Sequence, residues 1–290
     1  MTVRMAQQAQ LTTVEDLETF LAEGYNTGWG DEWVKVGPLK ILGDGSLGAR
    51  SAYLSRDYAD KPGYRGIPIY TQQQFDDLIG CANRHGMQVA VHAIGDGILD
   101  RVLSAYKKAL AEQPREDHRH GVVHCQITRP DQLADFAALH LHAYVQPIFL
   151  DYDIHMVEQR VGPELASTSY AFRTLMDSGV WTSSGTDCPV ELPRALACIQ
   201  CAVTRRTLKD RVGPYLPAEA LTVQQAIDSY TIHSAHATFE EDSKGRIAPG
   251  YLADFVVLGD NPFEADPYAI GDIPVLATYA GGRCVYQVKE

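Results

Sequence analysis

Met87-Gln-Val-Ala-Val-His-Ala-Ile-Gly-Asp-Gly-Ile-Leu-Asp-Arg-Val-Leu-Ser-Ala-Tyr106 decides the fold class. A short apolar run (Met87–Ala93) meets turn residues and then a stretch, 97–112, whose apolar residues recur three and four apart, so it reads as a β-strand feeding an amphipathic helix. The same unit recurs on both sides. Trp33–Leu42 precedes a helix over about 71–85, with Thr71 as N-cap and Phe75, Leu78 and Ile79 on one face. His120–His124 precedes a helix near 130–138, Leu141–Gln146 one near 169–178, and Val180–Thr186 one near 193–206.

Five consecutive βα units predict an α/β fold with a parallel sheet, either doubly wound or a (β/α) barrel of the TIM type. No Gly-x-Gly-x-x-Gly opens any of the helices. That removes the main support for a doubly wound nucleotide-binding reductase and favours the barrel. Residues 1–33 are polar, with a short amphipathic piece, and nothing in them reads as a core strand. The barrel portion is expected over 34–240. Past a helix near 222–237, Gly245–Leu258, Val275–Tyr279 and Arg283–Val288 read as strands of a small β appendage over 241–290.

The chain has 290 residues, 37 acidic against 25 basic, a net charge of −12 and 45% hydrophobic residues. This composition supports a packed core and argues against nucleic acid or an anionic membrane as partner. The opening segment lacks the apolar core of a signal peptide, and no apolar run approaches the length of a membrane span, so the expectation is a soluble, cytoplasmic protein. Six scattered cysteines read as buried free thiols, and the lone Cys198-x-x-Cys201 as two thiols on a helix face.

Active sites of parallel barrels lie at the C-terminal ends of the strands. Four ionisable residues end strands here: Lys40, His92, His124 and Asp187. Singly, each has a bland reading as a hydrogen-bonded or solvated strand end or a helix cap; jointly they suit a zinc-type hydrolytic site that leaves a position open for water. His118, His120, His140 and His142 begin strands and read as structural or solvent-facing. Asp44, Ser46 and Asp96 lie in loops just after strand ends, as supporting or substrate contacts or as simple turn residues. His155, in the stretch Phe149–Ser169 with Tyr152, Gln159 and Arg160, lies in a long loop that faces substrate in this reading.

The strings Gly37-Pro-Leu-Lys-Ile-Leu-Gly-Asp-Gly-Ser-Leu-Gly, Val91-His-Ala-Ile-Gly-Asp, His124-Cys-Gln, Gly185-Thr-Asp-Cys-Pro-Val, Tyr230-Thr-Ile-His-Ser-Ala and Gly245-Arg-Ile-Ala-Pro-Gly-Tyr-Leu-Ala-Asp-Phe-Val-Val-Leu resemble, in order, the metal-dependent amidohydrolase superfamily. The resemblance is to its YtcJ-like branch, which includes N-substituted formamide deformylases. It implies that His92 and His124 ligate metal after barrel strands five and six. It further implies that Asp187 contacts the metal after strand eight and takes the proton of the attacking water. Lys40 holds the strand-four position where many members carry a carboxylated lysine. One or two divalent ions, zinc being the expected one, and a small amide or formamide-type substrate follow.

Two departures stand out. Val123 occupies the place of a Glu, and the His-x-His that ends strand one in the superfamily is absent, His85 being the only histidine before His92. The five units therefore correspond to strands four to eight, and the appendage to one part of a β-sandwich. Open strand edges imply a homo-oligomer. Two functions remain: a metal-dependent hydrolase of non-peptide C–N bonds, or a truncated, catalytically impaired relative acting as a binding or assembly protein.

Overall fold

The computed structural model describes residues 1–289. In chain order it forms β1 (Met5–Gln10), α1 (Val14–Ala22), β2 (Val34–Leu42), α2 (Gln72–Arg84), β3 (Val89–Ala93), α3 (Asp96–Glu112), β4 (Gly121–His124), α4 (Pro130–Ala138), β5 (His142–Val145), α5 (Leu150–Asp153), α6 (Val157–Ala166), α7 (Phe172–Asp177), β6 (Thr182–Ser184), α8 (Ala195–Thr204), α9 (Val223–Tyr230), α10 (Ile232–Ala237), β7 (Phe255–Leu258), β8 (Val275–Ala280) and β9 (Arg283–Gln287). Two compact units result. One comprises Met5–Val145 with His155–Trp181; the other comprises Met1–Arg4, Gln146–Ile154 and the described residues from Thr182 onward.

The first unit is built on parallel strands in sequential order, β1-β2-β3-β4-β5. Parallel pairing across helical crossovers confirms the α/β reading. Register fixes two faces. Leu39, Ile41, Val89, Val91, Val122 and Ala143 are all at most 1% exposed and form the core under the helices. Each fully buried Val, Leu or Ile of this kind contributes about 1.5–3 kcal/mol. The alternate positions, among them Lys40, Leu42, His92 and Tyr144, form a face that is only half buried. Helix α2 starts with a Thr71–Gln74 capping box and buries Phe75, Leu78 and Ile79, as the spacing predicts. Helix α3 buries Tyr106, whose hydroxyl donates to the Gly121 carbonyl at 2.7 Å and so bolts helix to sheet.

Two expectations need correction. Met5–Gln10 is a strand after all, paired in parallel with β2, although its Met-Ala-Gln-Gln-Ala-Gln has no β-branched residue. It is the outer strand of the sheet, and pairing with β2 overrides weak local propensity. The stretch 149–169 is not a plain loop but contains α5 and α6, the latter broken at Gly162 (φ 75°) ahead of Pro163.

In the second unit, α8 buries Cys198 and Cys201 against Ile148 and Ala197. Burial pushes the Cys198 thiol up to about 11 and raises Cys201 as well, so the pair is unreactive packing. The C-terminal appendage is a three-stranded antiparallel sheet, β7-β8-β9. Arg4 forms a two-pronged ion pair with Asp254 at 2.6 and 3.3 Å in this unit. Among the described residues no helix is long and apolar enough to cross a membrane.

Candidate metal centre

The C-terminal ends of β2, β3 and β4 converge on a pair of imidazoles. His92 is the fourth residue of β3, and His124, the last of β4, pairs in register with Ala93. His124 is 3% exposed and has φ 83°, and Cys125 follows at φ 50°. Two consecutive non-glycine residues in the left-handed region cost of order 1–3 kcal/mol each, a cost that concentrates at functional sites. Their effect is to turn the chain sharply out of β4. The two rings meet edge to face, centroids 4.3 Å apart at 73°, with His92 Nδ1 and His124 Nε2 2.9 Å apart.

The far edge of His92 is held from below. Its Nε2 lies 3.1 Å from the Gly45 carbonyl oxygen and 3.3 Å from Asp44 Oδ1. Both are acceptors, so Nε2 carries the hydrogen and the Nδ1 lone pair faces His124. The Asp44 side chain is fully buried, two residues past the end of β2. Its Oδ1 also accepts from Ile94 N (3.1 Å), and its Oδ2 from Tyr53 N (2.8 Å) and Gly95 N (2.9 Å).

The other residues singled out from sequence are placed as follows. Lys40 is half buried on β2, level with Ala90 and thus two positions before Leu42, the partner of His92. Ser46 is exposed, and its hydroxyl accepts from Ala49 N at 3.4 Å. Asp96 is buried in the first turn of α3 and committed elsewhere: it accepts from Ser55 N (2.9 Å) and the Ser55 hydroxyl, and pairs with Arg129 at 2.8 Å. His155 is exposed between α5 and α6, and Arg160 pairs with Asp60. Asp187, in the other unit, is exposed with φ 55° and its carbonyl accepts from Val190 N.

The strand-start histidines behave differently. His118 and His120 are buried, and each accepts a backbone N–H at Nδ1, from His120 N (2.9 Å) and Val89 N (3.1 Å) respectively. Each donates from Nε2, His118 to the Leu139 carbonyl (3.0 Å) and His120 to Asn83 Oδ1 (3.1 Å). Burial lowers both pKa values, that of His118 to about 4. They are structural. What the sequence reading missed is the pairing of Gly43-Asp-Gly45 with Gly95-Asp-Gly97, a repeated tripeptide that was the available signal.

The donors fit a nitrogen-liking divalent ion at two positions. Nitrogens each about 2.0–2.1 Å from a tetrahedral zinc lie about 3.3 Å apart, so the pair need open by only a few tenths of an ångström from 2.9 Å. A ligating histidine held at its other nitrogen by a carboxylate or carbonyl is the arrangement that fixes tautomer and ring orientation in metal sites. Among the described residues, no group of three or more His, Cys, Asp or Glu side chains stands together as a metal cage.

Comparison with known proteins bears on this geometry. A model of the amidohydrolase family matches residues 1–286. A Bacillus subtilis (strain 168) protein described as "Putative amidohydrolase YtcJ" is 36% identical over 88% of this chain and 48% of its own length. The N-substituted formamide deformylase of Arthrobacter pascens is 27% identical over 77% of this chain and 41% of its own length. Among solved structures, an uncharacterized metal-dependent hydrolase from Pyrococcus horikoshii OT3 superposes with a TM-score of 0.79 at 29% identity, covering 91% of this chain and 52% of that one. The chain thus spans about half the length of the relatives it matches.

Proposed function

The chain belongs to the amidohydrolase family, and we propose that it serves in metal-dependent hydrolysis of a non-peptide C–N bond, in an amide or formamide-type small molecule. The observation that carries this reading is the His92–His124 pair, its ring nitrogens 2.9 Å apart at the C-terminal ends of adjacent parallel strands. His92 Nδ1 and His124 Nε2 would hold the ion. When bound, a divalent metal supplies Lewis-acid polarisation of the substrate carbonyl and acidifies water.

The protein's own part is orientation and proton handling. Asp44 and the Gly45 carbonyl keep the His92 ring turned so that its lone pair faces His124. Asp187 is proposed, on the sequence resemblance, as the group that takes a proton from the attacking water and returns it to the departing amine nitrogen. Lys40, as a carboxylated lysine, is a further proposed ligand on the same ground. The outer position of β1 supports self-association through that edge, and a cytoplasmic location is proposed on the sequence reading alone.

Elemental analysis of the purified protein, as isolated and after zinc is offered and excess removed, tests the reading. The expected result is about one retained zinc per chain, lost in the double variant His92→Ala/His124→Ala. No retained metal in either sample rejects the hydrolase reading for this chain; retention justifies screening amides and N-formyl compounds.

A further inference from the structure

We propose that Asp44 is a positioning residue that selects the ring tautomer of His92, acting through one of two reciprocal Gly-Asp-Gly clamps. Gly43-Asp44-Gly45 leaves β2 and Gly95-Asp96-Gly97 leaves β3. Each aspartate reaches across to the other's neighbourhood. Asp44 takes the peptide N–H groups of Ile94 and Gly95, while Asp96 takes the N–H and hydroxyl of Ser55. Tyr53 N is held by Asp44, so the segment 53–55 is stitched at both ends.

The glycines make this approach possible. A Cβ at Gly95 would lie 2.1 Å from the Tyr53 carbonyl oxygen, at Gly97 2.5 Å from the Leu54 carbonyl carbon, and at Gly43 2.5 Å from the His92 carbonyl oxygen. All three obstacles are backbone atoms, which do not move aside as a flexible side chain does. Only glycine lets the two loops lie against one another this closely.

The clamps differ in their donors, three peptide N–H groups on Asp44 against one N–H and one hydroxyl on Asp96, and in what else each carboxylate meets. The remaining contact of Asp96 is the Arg129 guanidinium, whereas that of Asp44 is His92 Nε2. With three peptide donors already fixing its two oxygens, Asp44 is held as an acceptor toward the ring, and the Gly45 carbonyl beside it is an acceptor as well. Both demand a hydrogen at Nε2, which leaves Nδ1 as the lone-pair edge facing His124. The Gly45 carbonyl is the hydrogen-bond acceptor at 3.1 Å, and Asp44, pinned by its three N–H donors, holds that carbonyl and its own charge, 3.3 Å away, against the same ring atom; Asp96 is an internal control that clamps the same loops without touching the ring.

The inference rests on the His92–His124 pair being the binding site, yet the tautomer is read without metal, so the two readings fail separately. Two-bond ¹H–¹⁵N spectra of metal-free ¹⁵N-histidine-labelled protein at neutral pH should show His92 as the Nε2–H form. Asp44→Asn should bring in the Nδ1–H form and weaken zinc binding about 10–100-fold. Asp96→Asn should leave both readouts at wild-type values. An Nδ1–H ring in the wild type, an unchanged ring in Asp44→Asn, or an equal change in both variants overturns the proposal. Should Asp44→Asn fail to fold, the wild-type spectrum decides: an Nε2–H proton protected from solvent exchange supports the assignment, and an Nδ1–H ring overturns it.

Discussion

Lowering the pH from 7 to 5 should destabilise the first unit through His118, by an amount its environment allows to be worked out. Burial is the main cause of its lowered pKa, about 4 against the ordinary 6.5, opposed by the hydrogen bond to the Leu139 carbonyl. The geometry explains the direction. Nδ1 is occupied by the His120 peptide N–H and Nε2–H by the Leu139 carbonyl, so an added proton on Nδ1 must displace a backbone donor in a buried place. The folded protein stays neutral at His118 until about pH 4, whereas the unfolded chain protonates near 6.5. The unfolded state thus binds more protons between these values, and stability falls as pH drops through that window. At pH 5 the deficit from this one residue is about 2 kcal/mol, rising to about 3 kcal/mol at and below pH 4. His120, buried with both nitrogens occupied likewise, acts in the same direction. Urea unfolding at pH 7 and pH 5 should show it. His118→Asn, which keeps an acceptor for the His120 N–H but cannot take the proton, should be less stable at pH 7 yet lose about 2 kcal/mol less on acidification. Equal pH dependence in the two proteins would refute the argument, since all other titrating groups are shared.

Asp96→Ala should remove about 1–2 kcal/mol from unfolding stability, because it leaves the Ser55 N–H and hydroxyl facing a vacated buried site while Arg129 keeps Asp100 and Asp131; a loss under about 0.5 kcal/mol in urea titration contradicts this placement. Thiol titration of the native protein should find Cys188 and Cys284 reactive and Cys81, Cys125, Cys198 and Cys201 silent until denaturant is added. The burial that raises all four of the silent thiols keeps them protonated and shielded. Rapid native labelling of Cys198 or Cys201 would count against the packing described for α8.

Much of the fold is legible because it is locally encoded. Thr71 and Gln74 mark the start of α2 by side-chain chemistry alone, and the apolar runs of β2 to β5 stand out against their helices. What is not legible depends on partners distant in sequence. The strand state of Met5–Gln10 exists only because β2 pairs with it. In α6, Val157, Val161 and Leu165 are buried at four-residue intervals, but Gly162-Pro163 between them reads as loop punctuation. Strand-end position singles out His92 and His124 from the sequence. The role of Asp44 escapes it, because the donors that orient this carboxylate lie 9, 50 and 51 residues away.

Histidines at both ends of the parallel strands show what separates a structural imidazole from one available for chemistry. Residue type does not, since His118, His120, His92 and His124 all lie within or next to β3 and β4. Burial does not either, because His124 at 3% exposed is as enclosed as His118 at 2%. The difference lies in what occupies the lone pair. For His118 and His120 it is a peptide N–H, a partner fixed by the backbone, and protonation or ligation would have to break that bond. For His92 the fixed partners, Asp44 and the Gly45 carbonyl, are acceptors and consume the N–H edge instead. Its lone pair instead accepts from His124 Nε2–H 2.9 Å away, a side-chain partner that can move its hydrogen to the other ring nitrogen and shift by a few tenths of an ångström to share an ion. The polarity of the ring, set by which edge the main chain takes, therefore decides which end of these strands can do chemistry.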